Sequence, residues 1–219
     1  MISSRQVLSN GLNVFDVLWL TKDFCHSEYC VFDALFGVLI ELGFLEEANE
    51  CFLRMRKFKV FVKQRSCNVL LHRLSKSGKT DLSRKFFESM LNAKITPSVF
   101  TYNIMIDVMC KEGDLRTAGG MFKQMKEIGI MPDIVTYNTL IDGFGKVGQL
   151  EDAICVFDEM KVASCKPDVI TYNALINCLC KYEQMPRAFL YLREMKENGL
   201  KPNVVTYSTF VDAFRVEKS

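Results

Sequence analysis

The strongest constraint on this chain is a repeat of fixed period. Thr101-Tyr102-Asn103, Thr136-Tyr137-Asn138, Thr171-Tyr172-Asn173 and Thr206-Tyr207-Ser208 recur every 35 residues, with weaker echoes at Ser66-Cys67-Asn68 and Val31-Phe32-Asp33. Other columns keep step: Met55, Met90, Met125, Met160 and Met195; Pro97, Pro132, Pro167 and Pro202; Gly43, Gly78, Gly113 and Gly148. Several columns in one phase exclude chance, and a period of this size marks a repeat architecture.

With each unit opening two residues before the Thr, the units are 29–63, 64–98, 99–133, 134–168 and 169–203, and 204–219 is the first part of a sixth. Residues 1–28 read as a degenerate half-repeat or N-terminal cap, since Leu12, Phe15, Leu18 and Trp19 make an apolar helical stripe. In the unit from Ile134, Tyr137, Leu140, Ile141 and Phe144 share one helical face, and Lys146-Val147-Gly148-Gln149 interrupts it. Leu150, Ala153, Ile154, Phe157 and Met160 form a second stripe, which Cys165-Lys166-Pro167-Asp168 is expected to end because proline cannot continue a helix. One hairpin cannot bury both its faces alone. The expectation is therefore all-α: a right-handed superhelical solenoid of stacked helix-turn-helix repeats with a continuous core, in which the Tyr, Phe, Met and Ala columns pack.

Composition narrows the function. Of 219 residues, 49% are hydrophobic and 25% charged, enough apolar material for a sizeable core. Twenty-eight Lys and Arg against twenty-six Asp and Glu give a net charge of +2, so any anion-binding surface must come from local placement. Nine cysteines, odd in number and irregular in spacing, read as reduced thiols serving as small buried hydrophobes. No charge-free apolar run is long enough to span a membrane. His26-Ser27-Glu28 matches half of a zinc deaminase signature, but Cys178-Leu179-Cys180 has the wrong spacing for the other half. Cys110 and Cys180, at one repeat position, read as packing. No Ser-His-Asp set or glycine-rich phosphate loop is present, so the expectation is a binding protein with no catalysis, cofactor or metal.

Two families of helical hairpin have this length. Tetratricopeptide units carry Trp, Leu-Gly and Tyr in their first helix, whereas here the eighth residue of a unit is Ile106, Ile141 or Ile176 and the glycine falls at the interhelix turn. Val-Thr-Tyr-Asn, Leu-Ile-Asp, Gly-Phe-Gly-Lys and Lys-Pro-Asp together resemble the pentatricopeptide repeat family over residues 29–219, most strongly over 99–203. Equal 35-residue units resemble its plain class. That resemblance implies a plant organellar protein, mitochondrial ahead of chloroplast, whose partner is single-stranded RNA from an organellar transcript. Protein partners would supply any catalysis, and the chain itself would act as a monomer, off the membrane.

The resemblance further implies that the fifth and last residues of each unit read one base. An Asn amide donates and accepts while an Asp carboxylate only accepts, so such a pair can select a Watson–Crick edge. Asn103 with Asp133 and Asn138 with Asp168 then imply uracil, Asn173 with Asn203 a pyrimidine, and Asn68 with Ser98 cytosine. Ser208 leans toward a purine, and Asp33 with Lys63 departs from the family's pairs and receives no base. The implied tract is one unassigned base followed by C, U, U, Y and R. On the residues alone, each Asn could instead cap the first helix. By resemblance the second residues, Arg65, Phe100, Val135, Ile170 and Val205, sandwich the base, with core packing as the alternative. Lys76, Lys111, Lys146 and Lys181 form a stripe suited to phosphates or to the helix C-terminal dipole, interrupted by Glu41 and Val216. A peptide-binding scaffold, or a truncated piece of a longer repeat protein, are the competing readings.

Overall fold

The computed structural model describes residues 28–216, which form eleven helices in two units divided after Pro97. The expectations placed on Leu12, Phe15, Leu18, Trp19 and His26, and on the last three residues, lie outside the described residues. The first unit holds α1 (Glu28–Glu41), α2 (Leu45–Lys57), α3 (Gln64–Lys76) and α4 (Thr80–Asn92). The second holds α5 (Val99–Glu112), α6 (Leu115–Glu127), α7 (Ile134–Lys146), α8 (Leu150–Val162), α9 (Val169–Lys181), α10 (Met185–Glu197) and α11 (Val204–Val216).

Each unit is a stack of antiparallel hairpins, the all-α solenoid arrangement that the periodicity implies. In the second unit α6, α8 and α10 each fold back on the helix before them, while α5, α7, α9 and α11 pack side by side. In the first, α1 packs on α2 and α3, and α3 on α4. The repeated columns are the core. Tyr102, Tyr137 and Tyr172 are 1% exposed, and all five methionines of the column are fully buried. Phe122 meets Tyr137 and Phe157 meets Tyr172 edge to face at 5.5 and 5.3 Å, the geometry that the ring quadrupoles favour. Phe36, Phe52 and Phe86 form the equivalent chain in the first unit.

The first helices stop at a left-handed residue such as Gly113 or Gly148, with φ of 75° and 81°. Their partners stop in the same way, which corrects the expected role of proline. α8 ends at Val162, and Ser164 turns the chain with φ 59° before Pro167 is reached. Lys59, Lys94, Gly129 and Gly199 occupy that position in the other repeats. The amide that follows returns to the methionine column: Val60 N–H donates to the Met55 carbonyl at 2.8 Å and Cys165 N–H to that of Met160 at 3.1 Å. The prolines lie in the extended link to the next helix.

Candidate nucleic-acid interface

The link ends on the last residue of each repeat, and from Ser98 onward that side chain caps the next helix, whereas Lys63 makes no such bond. Asp133 and Asp168 accept the Thr136 and Thr171 amides, each at 2.9 Å, and each threonine hydroxyl accepts the aspartate N–H in return. Ser98 with Thr101, and Asn203 with Thr206, do the same for α5 and α11. Such reciprocal bonds satisfy amides that the helix itself cannot. The cap is therefore the last residue of the repeat, not the fifth, and the asparagines sit one turn inside the helix.

Because repeats stack, the fifth residue of one meets the cap of the next. Asn103 Nδ2 donates to Asp133 Oδ1 at 3.0 Å, and Asn103 Oδ1 lies 2.5 Å from the Thr136 hydroxyl. Asn173, Asn203 and Thr206 reproduce this at 3.2 and 2.6 Å. Asn138 breaks the pattern: the Thr171 hydroxyl donates to Asp168 at 2.9 Å, and Asn138 Oδ1 is buried with no hydrogen-bond partner. In the first unit the same three positions hold Asp33, Lys63 and Ser66, where the Ser66 hydroxyl donates to Asp33 Oδ1 at 2.8 Å and Lys63 pairs with Oδ2 at 3.2 Å. Asn68 is buried within α3, and Ser98, across the unit division, serves as the α5 cap. Ser208 is exposed on α11, bonded back to the Val205 carbonyl.

Burial alone would raise the Asp133 carboxyl, but the Thr136 amide and the Asn103 side chain outweigh it and hold the group below the usual aspartate range. The threonine column escaped the sequence reading as part of the site, although its Ser/Asp/Asn-x-x-Thr spacing is a capping signature.

A groove of about 1200 Å³ runs along α5, α7, α9 and α11; of the fifth and last residues Asn138, Asn173 and Asn203 line it, with Val135, Ile170, Val205, Lys111 and Lys146. The second-residue column does not pack in the core: Phe100, Val135, Ile170 and Val205 are 50 to 64% exposed, and Arg65 is exposed in the first unit. They stand in the first turn of their helices, where the following helix cannot cover them. Lys76, Lys111, Lys146 and Lys181 are exposed at the helix ends. Two of them are paired: Lys111 with Asp107 and Lys146 with Asp142, each at 2.5 Å one turn back. The hydrogen bond to Asp142 raises the Lys146 pKa above its ordinary value. Lys181 instead donates to the Lys146 carbonyl at 3.2 Å. Exposed pairs of this kind contribute about 0 to 1 kcal/mol, so a phosphate can displace them.

Comparisons with known proteins agree with one another. The PPR repeat family profile matches residues 63–111, 97–146, 132–181 and 167–215, and a second PPR repeat profile matches 30–60. A pentatricopeptide repeat-containing protein of Arabidopsis thaliana is 62% identical over 102 residues, 46% of this chain and 13% of that protein. Another Arabidopsis protein of that description, named mitochondrial, is 31% identical over 102 residues, 44% of this chain and 20% of its own length. The chain thus matches a fifth or less of these relatives. The crystal structure of maize PPR10 superposes with a TM-score of 0.78 at 24% identity, over 93% of this chain and 30% of that one. PPR10 in complex with an 18-nt psaJ RNA element gives 0.69 at 23% identity, over 89% and 29%. Repeat columns, hairpin stack and profile matches over most of the length together make this chain a member of the PPR repeat family.

Proposed function

We propose that the chain binds single-stranded RNA, reading one base per repeat. The observation that carries this is the recurring hydrogen-bonded set of fifth residue, last residue and threonine, from which Asn138, Asn173 and Asn203 line the groove. In Asn103–Asp133, Oδ1 of the aspartate is taken by Asn103 and Thr136. The carboxyl also accepts from the Val135 amide, but its remaining lone pairs and the second Nδ2 hydrogen of Asn103 are the acceptor and donor left for a ligand, which suits the N3–H and carbonyl of uracil. In Asn173–Asn203 the Asn203 oxygen is similarly taken, and the remaining groups are N–H donors, which suit the N3 and O2 acceptors of cytosine. The exposed second residues fit the role of base-sandwiching side chains, and Lys76, Lys111, Lys146 and Lys181 that of phosphate contacts.

The proposed tract is one unassigned base followed by C, U, U, Y and R, read 5′ to 3′ from N- to C-terminus. The chain acts without catalysis by occupying a transcript, with bearing on its processing, stability or translation. The transcript is organellar in this reading, mitochondrial ahead of chloroplast, and the relatives named mitochondrial support it. Fluorescence anisotropy with a CUUY strand and one carrying GG in place of UU tests the reading. Preference for CUUY, lost when Asn103 and Asn138 are both changed to Ala, supports it. Equal binding of both strands, or none by folded protein, overturns it in favour of a peptide-binding repeat.

A further inference from the structure

The near-neutral total charge conceals a concentrated one. Between Arg54 and Pro97 the sequence carries twelve Lys and Arg against two acids, Asp81 and Glu88. Part of this excess gathers at the two turns that leave α2 and α4. A groove of about 970 Å³ in the first unit is lined by Arg56, Lys59, Phe61, Gln64 and Lys94, with backbone of both turns, and no carboxylate contributes to it. Gln64 Nε2 donates to the Thr96 carbonyl and ties the second turn to the start of α3. Among the described residues no carboxylate pairs with Arg56, Lys59 or Lys94. Phe61 is 68% exposed beside them.

The backbone gives a second indication. Lys59 and Lys94 are the left-handed residues of their turns, both at φ 57°, where the equivalent residues are Gly129, Ser164 and Gly199. A side chain in that conformation costs about 1 to 2 kcal/mol. Lysine is held there twice, on the walls of one groove, and strained backbone of this kind concentrates at functional sites.

Cations with no carboxylate partner among the described residues, beside an exposed aromatic ring, match the chemistry of a nucleic-acid strand, in which phosphates meet ammonium and guanidinium groups and a base stacks on the ring. We infer that the Arg56–Lys59–Phe61–Lys94 groove is a sequence-independent site for RNA backbone phosphates, engaging the strand on the 5′ side of the bases read by the later repeats. This rests on the proposed base-reading function for its polarity, but its own contacts need no particular base.

The test uses the full chain and three strands: CUUY alone, CUUY with ten adenines added 5′, and CUUY with ten adenines added 3′. The 5′ extension is expected to tighten binding about tenfold at low salt and the 3′ extension to leave it unchanged. Changing Arg56, Lys59 and Lys94 together to Gln removes that gain and lowers the slope of log affinity against log salt by about 2, at about 0.7 per phosphate on single strands. The variant keeps its far-UV circular dichroism and its preference for CUUY over the GG strand. Equal gains from both extensions, an unchanged slope in the variant, or failure of the folded wild-type chain to bind the extended strand would each overturn the inference. So would competition by a polyglutamate peptide at the same concentration as RNA, which would make the groove a protein-binding site. Loss of CUUY preference with the 5′ gain intact would instead sink the base-reading function alone.

Discussion

At the residue scale, the last side chain of a repeat from Ser98 onward joins a capping duty to a proposed one. Asp133 caps α7 with one oxygen and, in the proposed function, accepts from a base with the other. The duties separate on substitution. Asp133→Asn retains a good cap but exchanges an acceptor for a donor, so the base preferred by that repeat shifts from uracil to cytosine in a binding selection. Asp133→Ala loses both and costs about 1 kcal/mol of stability by denaturant titration. The Asp133 carboxyl is held below its ordinary range in the folded chain, so its stabilisation is present above about pH 4 and is lost as pH falls through the folded value. Wild type and Asp133→Asn should therefore converge in denaturant midpoint as pH is lowered from 7 to 3. Ser/Asp/Asn-x-x-Thr is plain in the sequence, yet the bonds from Asn103 and Thr136 join residues some thirty positions apart, and only stacking reveals them.

At the element scale, the first helices approach closely through small residues. A Cβ added at Gly145 would stand 1.6 Å from Cys178 Sγ, and one at Gly143 would stand 2.5 Å from Cys110 Sγ. The cysteine of one helix thus fills the notch left by glycine in its neighbour. Gly145→Ala should cost about 1 to 3 kcal/mol as overpacking. Gly119→Ala in α6, where nothing lies within 4 Å, should instead stabilise by up to about 1 kcal/mol through helix propensity. Thermal unfolding of the two variants reads the contrast. Glu183 shows the opposite mismatch: it holds φ 59° at the turn where Gly43, Gly78, Gly113 and Gly148 stand in the other repeats. Glu183→Gly should raise the unfolding temperature by about 2 to 4 °C if the relief is about 1 kcal/mol.

At the scale of the whole molecule, the cysteines report on the core. Burial pushes the Cys51, Cys67 and Cys110 thiols up to about 12 and those of Cys178 and Cys180 to about 11. Cys155, by contrast, is exposed on α8. Alkylation at pH 8, followed by peptide mass spectrometry, should modify Cys155 first, with half-buried Cys110 slowed by its raised pKa and the four buried thiols untouched until denaturant opens the core, because the thiolate is the reacting form. Early modification of Cys178 would mean that α7 and α9 separate readily.

The sequence by itself determined the repeat length, the two helices of each repeat and the buried faces, because a 35-residue period in Tyr, Met, Thr and Gly leaves one way to pack a helical hairpin on its copies. It placed the candidate columns as well, since equal repeats put equal positions in register. Tertiary structure alone decided which side chains hold one another. It moved the cap from the fifth residue to the last, exposed Phe100, Val135, Ile170 and Val205, gave Lys111 and Lys146 their carboxylates, and left the Asn138 oxygen without the bond that Asn103 has. The physical reason is range: periodicity records which face of a helix is apolar, whereas a hydrogen bond or a clash depends on ångström distances between residues that meet only when repeats stack.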